Sequence, residues 1–197
     1  WVFVVAMAVI CSSGLVTTVN PVVSSLWVDN SATSTDFTDK TQYPYFNRVV
    51  PSDAQTTASL AQMFIAFGWK LASSICADGA YGRSSTVGFA EEMRKRGGDV
   101  GFARCVSPTA DVATMRTLLR ELMAADTRAV FVGMSAGSDA AYVNLITAAH
   151  DLQADRSLTF AFSESACTNN SPLWRQLRGA FCATYSLSTH ATSSFVA

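Results

Sequence analysis

The segment Arg128-Ala-Val-Phe-Val-Gly-Met134 is apolar along almost its whole length. Such runs are typical of strands in parallel sheets, which helices cover on both faces. The segment therefore predicts a strand near the centre of a sheet. Apolar residues at helical spacing predict a helix on each side of this strand. The helix before it is capped by Asp111, and the helix after it begins at Ser138 or Asp139.

Strand and helix patterns continue to alternate outward from this segment. On the N-terminal side, a helix begins at Asp53 and has Leu60, Met63, Phe64 and Phe67 in one stripe, and a strand follows at 71–77. The next helix has Val87, Ala90 and Met93 on one face; Ser84 or Ser85 caps it, Gly97-Gly98 ends it, and a strand follows at 100–106. On the C-terminal side, strands at 158–162 and 181–187 flank a short helix at 172–177. This alternation predicts an α/β fold with a doubly wound parallel sheet over about residues 51–190.

The first ten residues form a further apolar run, Trp1–Ile10, which leads into Ser12-Ser13. The run has no starting Met and no basic flank, and it is shorter than the roughly 20 residues that span a bilayer. We interpret it as a buried parallel strand that delivers a loop with two serines. A chain that begins inside a strand is expected to be a fragment. Pro21 predicts the start of the next helix.

Composition limits the classes of partner. The chain has 197 residues, 49% of them hydrophobic, and 14 basic residues stand against 15 acidic ones. This is enough apolar material for a packed core, and no broad basic field predicts binding to nucleic acid or to an anionic membrane surface. We therefore expect a small-molecule ligand or another protein surface as the partner.

Five cysteines leave at least one without a partner inside the chain. Cys167 and Cys182 flank the short predicted helix and could close a loop, but buried free thiols are an equally good interpretation. The spacing of the cysteines shows no metal-site signature, and no cofactor is predicted.

Ligands of open α/β sheets bind beyond the carboxyl ends of the strands. The residues predicted there are rich in hydroxyl groups, with carboxylates and a tyrosine: Ser12-Ser13, Ser31–Thr33, Asp78–Tyr81, Ser135 and Ser163-Glu164. No histidine is among them, because His150 lies in a predicted helix and His190 near the end of the chain. A Ser-His-Asp or Cys-His catalytic arrangement is therefore poorly supported. Hydroxyls suit the carboxylate of a zwitterion, while acidic groups and an aromatic face suit its ammonium.

The stretch Asn30–Asp53 contains Ser31-Ala-Thr-Ser34, Tyr43-Pro-Tyr-Phe46 and Arg48-Val-Val-Pro-Ser-Asp53 in this order. Together with Phe67-Gly-Trp69 and Asp78-Gly-Ala-Tyr-Gly82, it resembles the extracellular ligand-binding domain of class C G-protein-coupled receptors, and the metabotropic glutamate receptors above all. Weaker likeness continues to about Tyr185.

The resemblance implies a bilobed Venus-flytrap domain of the type 1 periplasmic-binding-protein fold. Residues 1–50 would supply part of lobe one, residues 51–190 a Rossmann-like lobe two, and residues 191–197 a tail. The hinge between the lobes would lie near Arg48–Pro51.

The resemblance also implies a role for each candidate site residue. Ser12 and Ser13 form the serine loop, and Ser13 and Thr33 would take the α-carboxylate of the ligand. Ser31 would hold the ammonium through its carbonyl, and Asp53 and Tyr81 would line the ammonium side. Glu164 stands where the family usually has Asp. Taken singly, Tyr81 is better interpreted as a packing residue, whereas Asp53, which could also be a helix cap, is better interpreted as a site residue.

The function that the resemblance implies is that of a cell-surface receptor, with no enzymatic activity. It would sense an amino acid or similar small molecule on the extracellular side of the cell membrane, as a receptor dimer, and signal to a G protein through a transmembrane region that this chain lacks. The alternatives are the binding domain of a receptor guanylyl cyclase, a bacterial amino-acid binding protein and, less well supported, an α/β hydrolase.

Ligand selectivity follows from one position of the resemblance. Glutamate-selective relatives have a basic residue a few positions after the aspartate that Glu164 replaces. The corresponding residue here is Asn169, and Ser165–Asn170 contains no Arg or Lys. Burial of a second carboxylate without a cationic partner is costly, so we expect a small or neutral α-amino acid to bind better than glutamate.

Overall fold

The computed structural model describes residues 27–29, 32–168 and 172–183, in which helices and strands alternate. The strands are β1 Trp27–Asp29, β2 Phe46–Arg48, β3 Leu71–Ala77, β4 Asp99–Val106, β5 Ala129–Gly133, β6 Thr159–Phe162 and β7 Phe181–Cys182. The α-helices are α1 Asp53–Ala66, α2 Ala80–Lys95, α3 Val112–Ala124, α4 Ala140–Asp151 and α5 Glu164–Thr168. Short 3-10 helices lie at Thr35–Thr38, Ala154–Arg156 and Pro172–Gln176. Among these described elements, no helix has the length and apolar character needed to cross a membrane.

The main sheet has five parallel strands in the order β4-β3-β5-β6-β7, and β1 and β2 form a separate parallel pair. All five residues of β5 are buried, and β5 is the middle strand. The predicted parallel α/β fold is therefore confirmed, as is the central position of the strand in Arg128–Met134.

Alternate residues of β5 enter two different hydrophobic clusters. Val130 belongs to a cluster with Met115, Leu119 and Leu145 from α3 and α4. Its neighbour Phe131 belongs to a cluster built with α1 and α2; its helical members include Leu60, Phe64, Phe89 and Met93. Because helices cover both faces, every position of the strand must be apolar, which explains the uninterrupted run in the sequence.

Two helix signals were interpreted correctly. Asp111 is the N-cap of α3, and its carboxylate accepts a hydrogen bond from the backbone N–H of Thr114 at 2.8 Å. At the end of α2, Gly97 has a φ of 78°, which glycine adopts without the strain of a side chain.

Two other details of the helices were predicted wrongly. α2 begins at Ala80 with Gly79 as N-cap, so Ser84 and Ser85 lie inside the helix and do not cap it. Their hydroxyls donate instead to the carbonyl oxygens of Tyr81 and Gly82. Phe67 does not continue the buried stripe of α1, since it follows the helix and is 59% exposed.

Several predictions fall wholly or partly outside the described residues. They are the strand at Trp1–Ile10, the helix near Pro21, the end of the strand at 181–187 and the tail. The division into lobes at residues 50 and 51 stays a prediction.

Four of the cysteines in the described residues are joined in two disulfides. Cys167 and Cys182 are joined, with their Cα atoms 5.8 Å apart, which decides between the two interpretations of this pair. Cys76 and Cys105 are also joined; they lie opposite each other on β3 and β4, with Cα atoms 4.4 Å apart. The second pairing was not predicted, because strand register is not visible in the sequence.

Candidate functional site

Tyr81 and Glu164 meet at the carboxyl edge of the main sheet. Tyr81 lies in the first turn of α2, which follows β3, and Glu164 is the first residue of α5, which follows β6. The Tyr81 hydroxyl donates a hydrogen bond to Glu164 Oε1 at 2.7 Å. Glu164 is only 5% exposed. The fold thus brings together two residues that are 83 positions apart in sequence.

Gly82 explains why Tyr81 can lie so close to the sheet. A Cβ atom at Gly82 would clash with the carbonyl oxygen of Ala77 and would lie 2.9 Å from that of Gly133. Both contacts are with backbone, which cannot move aside as a flexible side chain can. Only glycine therefore lets the first turn of α2 pack against the ends of β3 and β5.

Asp53 is the first residue of α1 and is 2% exposed. Ser52 is the N-cap of this helix, so the interpretation of Asp53 as a cap is wrong. The Ser84 hydroxyl lies 3.4 Å from Asp53 Oδ2, and its single proton is shared between this oxygen and the Tyr81 carbonyl. The other oxygen, Oδ1, is buried and has no hydrogen-bond partner within the part of the chain that the structure describes.

Burial raises the pKa of Asp53 from 3.8 to about 6. The hydroxyls of Thr33 and Ser84 oppose this rise, the negative charge of Glu164 adds to it, and the positive charge of Arg48 opposes it. A carboxylate in this position has lost its water and gained few partners in exchange. It therefore favours the approach of a cation.

Thr33 lies next to Asp53 and is 8% exposed. The backbone N–H of Asp53 donates to the Thr33 carbonyl oxygen at 2.8 Å. Arg48, at the end of β2, donates from Nη1 to the carbonyl oxygens of Thr33 at 3.0 Å and Ser34 at 2.9 Å. Arg48 thus holds the Thr33 loop against the start of α1.

The described part of the site is dominated by negative charge. Asp53 and Glu164 are both buried, and burial, followed by the charge of Glu164, raises the pKa of the Tyr81 hydroxyl well above its ordinary value. The guanidinium of Arg48 donates to loop carbonyls and to Thr38. Across residues 27–29, 32–168 and 172–183, no group of three or more His, Cys, Asp or Glu side chains is suited to hold a metal ion.

Four of the seven candidate residues are thus placed, and they are Thr33, Asp53, Tyr81 and Glu164. Ser12, Ser13 and Ser31 lie outside the described residues, so their roles stay predictions.

Among the other residues at strand ends, Asp78 is exposed and paired with Arg83, and the backbone N–H of Ser135 donates to Asp139.

Sequence reasoning missed Arg48 and Ser84 as parts of this site. Arg48 opens the Arg-Val-Val-Pro-Ser-Asp motif, which is the one signal that could have drawn attention to it. No local signal marks Ser84, because its contact with Asp53 depends on how α1 packs against α2.

A cavity of about 570 Å³ is lined by residues of the 3-10 helix Thr35–Thr38 and of helices α1 and α2, Ser84 among them. Ser84 is the one residue that it shares with the site. Two of its charged lining residues, Glu92 and Lys95, are paired with each other. This cavity does not contain the cluster of Asp53, Tyr81 and Glu164.

Comparison with known proteins gives two findings. The model of a family described as "Receptor family ligand binding region" matches residues 12–193. Over 71 residues, or 36% of the chain, the sequence is 31% identical to metabotropic glutamate receptor 4 of Rattus norvegicus, to metabotropic glutamate receptor 6 of Oryctolagus cuniculus and to metabotropic glutamate receptor 8 of Homo sapiens. The match spans only 8% of the length of each of these relatives.

Proposed function

The chain belongs to the receptor family with this ligand binding region, and from that membership we propose that it binds an α-amino acid next to Asp53, Tyr81 and Glu164. The observation that carries the proposal is the pair of buried carboxylates beside a tyrosine. An ammonium group would neutralise these carboxylates and could lie against the face of the aromatic ring. The similar receptors are named for glutamate, which is itself an α-amino acid.

The other end of the ligand requires hydrogen-bond donors. The Thr33 hydroxyl is on the residue whose carbonyl pairs with the Asp53 backbone, so it is close to the acidic group. We propose that Thr33, Ser12 and Ser13 bind the α-carboxylate and that the Ser31 carbonyl joins the acidic residues around the ammonium. Neutral donors suit this role because they bind an anion without cancelling the acidic side of the site.

Signalling would follow from the position of these residues in a two-lobed domain. A ligand that contacts both Thr33 and the Tyr81–Glu164 pair stabilises whichever arrangement brings them together, by its differential affinity for that arrangement. We propose that closure of the cleft, in a receptor dimer, passes this preference through a transmembrane region to a G protein. The site would then lie on the extracellular side of the cell membrane.

Calorimetry on the full-length gene product tests the ligand class. Alanine carries both charged groups, whereas propionate lacks the ammonium and ethylamine lacks the carboxylate, so the three ligands form a matched set. We expect measurable binding of L-alanine or a similar L-amino acid and no measurable binding of propionate. Equal binding of alanine and propionate would show that the acidic pair does not select an ammonium.

Competition among the twenty amino acids on the same protein tests selectivity. We expect glycine, alanine or serine to compete better than glutamate, because Glu164 adds negative charge and the segment after it has no basic residue. Glutamate as the tightest ligand would contradict this expectation. A cyclic-nucleotide response in place of G-protein activation would assign the same site to a receptor guanylyl cyclase.

A further inference from the structure

Glu164 is carried by a very short helix. α5 has five residues, from Glu164 to Thr168, and helices of fewer than about 12 residues are marginal unless tertiary contacts hold them. Cys167 is three positions after Glu164, about one turn along the same helix. The position of Glu164 in the site therefore depends on whatever anchors α5.

Hydrogen bonds to other segments anchor the middle of α5. The Ser165 hydroxyl accepts from the backbone N–H of Ala136 at 3.0 Å, and the Trp174 Nε1–H donates to the carbonyl oxygen of Ala166 at 3.1 Å. Trp174 lies inside the loop that the Cys167–Cys182 disulfide closes, so one of these anchors is itself part of the cross-linked loop.

The disulfide links α5 to β7, which pairs with β6, the strand that precedes α5. Cys182 belongs to β7, and its register partner in β6 is Phe162, two residues before Glu164. Within the described residues, β7 pairs with β6 through Phe181 and Cys182, and so short a strand pair is weak without further support. Glu164 thus lies in a closed connection that runs from β6 through α5 and the disulfide to β7, and back to β6 through the strand pairing.

We propose that the Cys167–Cys182 disulfide positions Glu164 for ligand binding by keeping α5 where the carboxylate meets the Tyr81 hydroxyl. The inference rests on the proposed function and adds a determinant of affinity that does not itself touch the ligand. With the disulfide reduced, α5 keeps its hydrogen bonds and the buried Ala166 but loses its covalent link to β7. The ligand ammonium then loses part of its contact with one of two carboxylates. The oxidising exterior of a cell keeps such a bond formed.

The first test compares two disulfides in the full-length protein with L-alanine as the probe. The double variant Cys167→Ser/Cys182→Ser is expected to bind about tenfold more weakly by calorimetry, the loss typical of one hydrogen bond to a charged group. The matched control, Cys76→Ala/Cys105→Ala, removes the cross-link between β3 and β4 and should leave affinity within about twofold. Equal losses in the two double variants would overturn the proposal.

Repeating the measurement in a Glu164→Gln background distinguishes an effect of the disulfide through Glu164 from a general effect on the structure. If the disulfide acts through Glu164, its removal should cause almost no additional loss of affinity in this background. An unchanged tenfold loss would mean that the disulfide acts elsewhere, and the proposal would be wrong.

A second test needs no ligand, so it stands apart from the proposed function. Tyr81→Phe removes the hydroxyl that bonds to Glu164, and this should change the folding equilibrium constant by about fivefold while the disulfide is present. Without the disulfide the same substitution should change it much less, as measured by denaturant unfolding. Additive effects of Tyr81→Phe and the cysteine changes would reject the inference, whereas coupled effects in a protein that binds no amino acid would reject only the proposed function.

Discussion

The two buried carboxylates of the site differ in how the fold treats them. Glu164 accepts a 2.7 Å hydrogen bond from Tyr81 and sits beside a disulfide-linked turn. Asp53 has one oxygen at 3.4 Å from a hydroxyl and another without a partner among the described residues. The Glu164 side is already organised, while the Asp53 side is left with unsatisfied charge that a ligand can neutralise.

The largest expected effect comes from Asp53→Asn, which removes this unsatisfied charge. L-alanine should bind about thirtyfold more weakly, because the ammonium loses a charge-assisted hydrogen bond. The free protein should become more stable at pH 7, by up to roughly 3 kcal/mol if the pKa of about 6 is taken at 1.36 kcal/mol per pKa unit. Calorimetry and denaturant unfolding measure the two quantities.

Asp111→Asn is the matched control, since Asp111 is an exposed acidic N-cap far from the site in sequence. Asparagine caps about as well as aspartate, so this variant should change neither quantity much. If Asp53→Asn left alanine affinity and stability unchanged, the contrast between the two carboxylates would have no functional meaning.

The next effect is a pH dependence that Asp53 should dominate. Its pKa is raised from 3.8 to about 6 in the folded chain, so the folded state binds a proton more tightly and the stability contributed by this group falls as pH rises from about 4 to about 6. A ligand ammonium favours the charged form, so alanine affinity should fall by up to about tenfold per unit as pH drops below 6. Calorimetry across this range should show proton release on binding.

Two neighbouring charges act on the pKa of Asp53: that of Glu164 raises it and that of Arg48 lowers it. Asp53→Asn should therefore flatten the pH profile of binding, whereas the wild-type profile should bend near pH 6. A profile that bends equally in both proteins would assign the titration to another group.

The order of the elements could be predicted because its signals are local. The apolar run around β5 and the helical stripe from Met115 to Leu122 each lie within a dozen residues. The family resemblance, carried by short motifs, is confirmed by the match over residues 12–193. The start of α2 was missed because Gly79 lacks the side-chain oxygen that usually marks an N-cap.

The chemistry of the site could be predicted only in outline. The resemblance supplied Asp53, Tyr81 and Glu164 as candidate site residues, and the fold brings Tyr81 and Glu164 into contact. The unpaired Oδ1 of Asp53 could not be predicted, because its burial requires both the loop held by Arg48 and the packing of α2 against α1. The hydrogen-bond partners of such a buried group are set by contacts between segments that are distant in sequence, so no single stretch of sequence reveals them.

Tyr81 gives an intermediate effect that separates its ring from its hydroxyl. Tyr81→Leu removes both and should cost up to about 2 kcal/mol of alanine binding if the ammonium lies on the ring face. Tyr81→Phe keeps the ring but releases Glu164, so it should cost about 1 kcal/mol. Calorimetry measures the affinity of both variants for alanine. Tyr45→Phe is the control, because Tyr45 is half exposed. Equal binding by the Leu and Phe variants would show that the ring only packs.

Ser84→Ala gives the smallest expected effect and tests whether the Ser84 hydroxyl stabilises the Asp53 carboxylate. At 3.4 Å the Ser84 contact is long, so its removal should weaken alanine binding by no more than about 0.5 kcal/mol. The same change should raise the pKa of Asp53 further, because the Ser84 hydroxyl stabilises the charged form. The bend in the pH profile of binding should therefore move to higher pH.

Ser85→Ala is the matched control in the same helix, since the Ser85 hydroxyl donates to the Gly82 carbonyl. A bend that moved to lower pH in Ser84→Ala, or moved equally in Ser85→Ala, would mean that Ser84 does not stabilise the carboxylate.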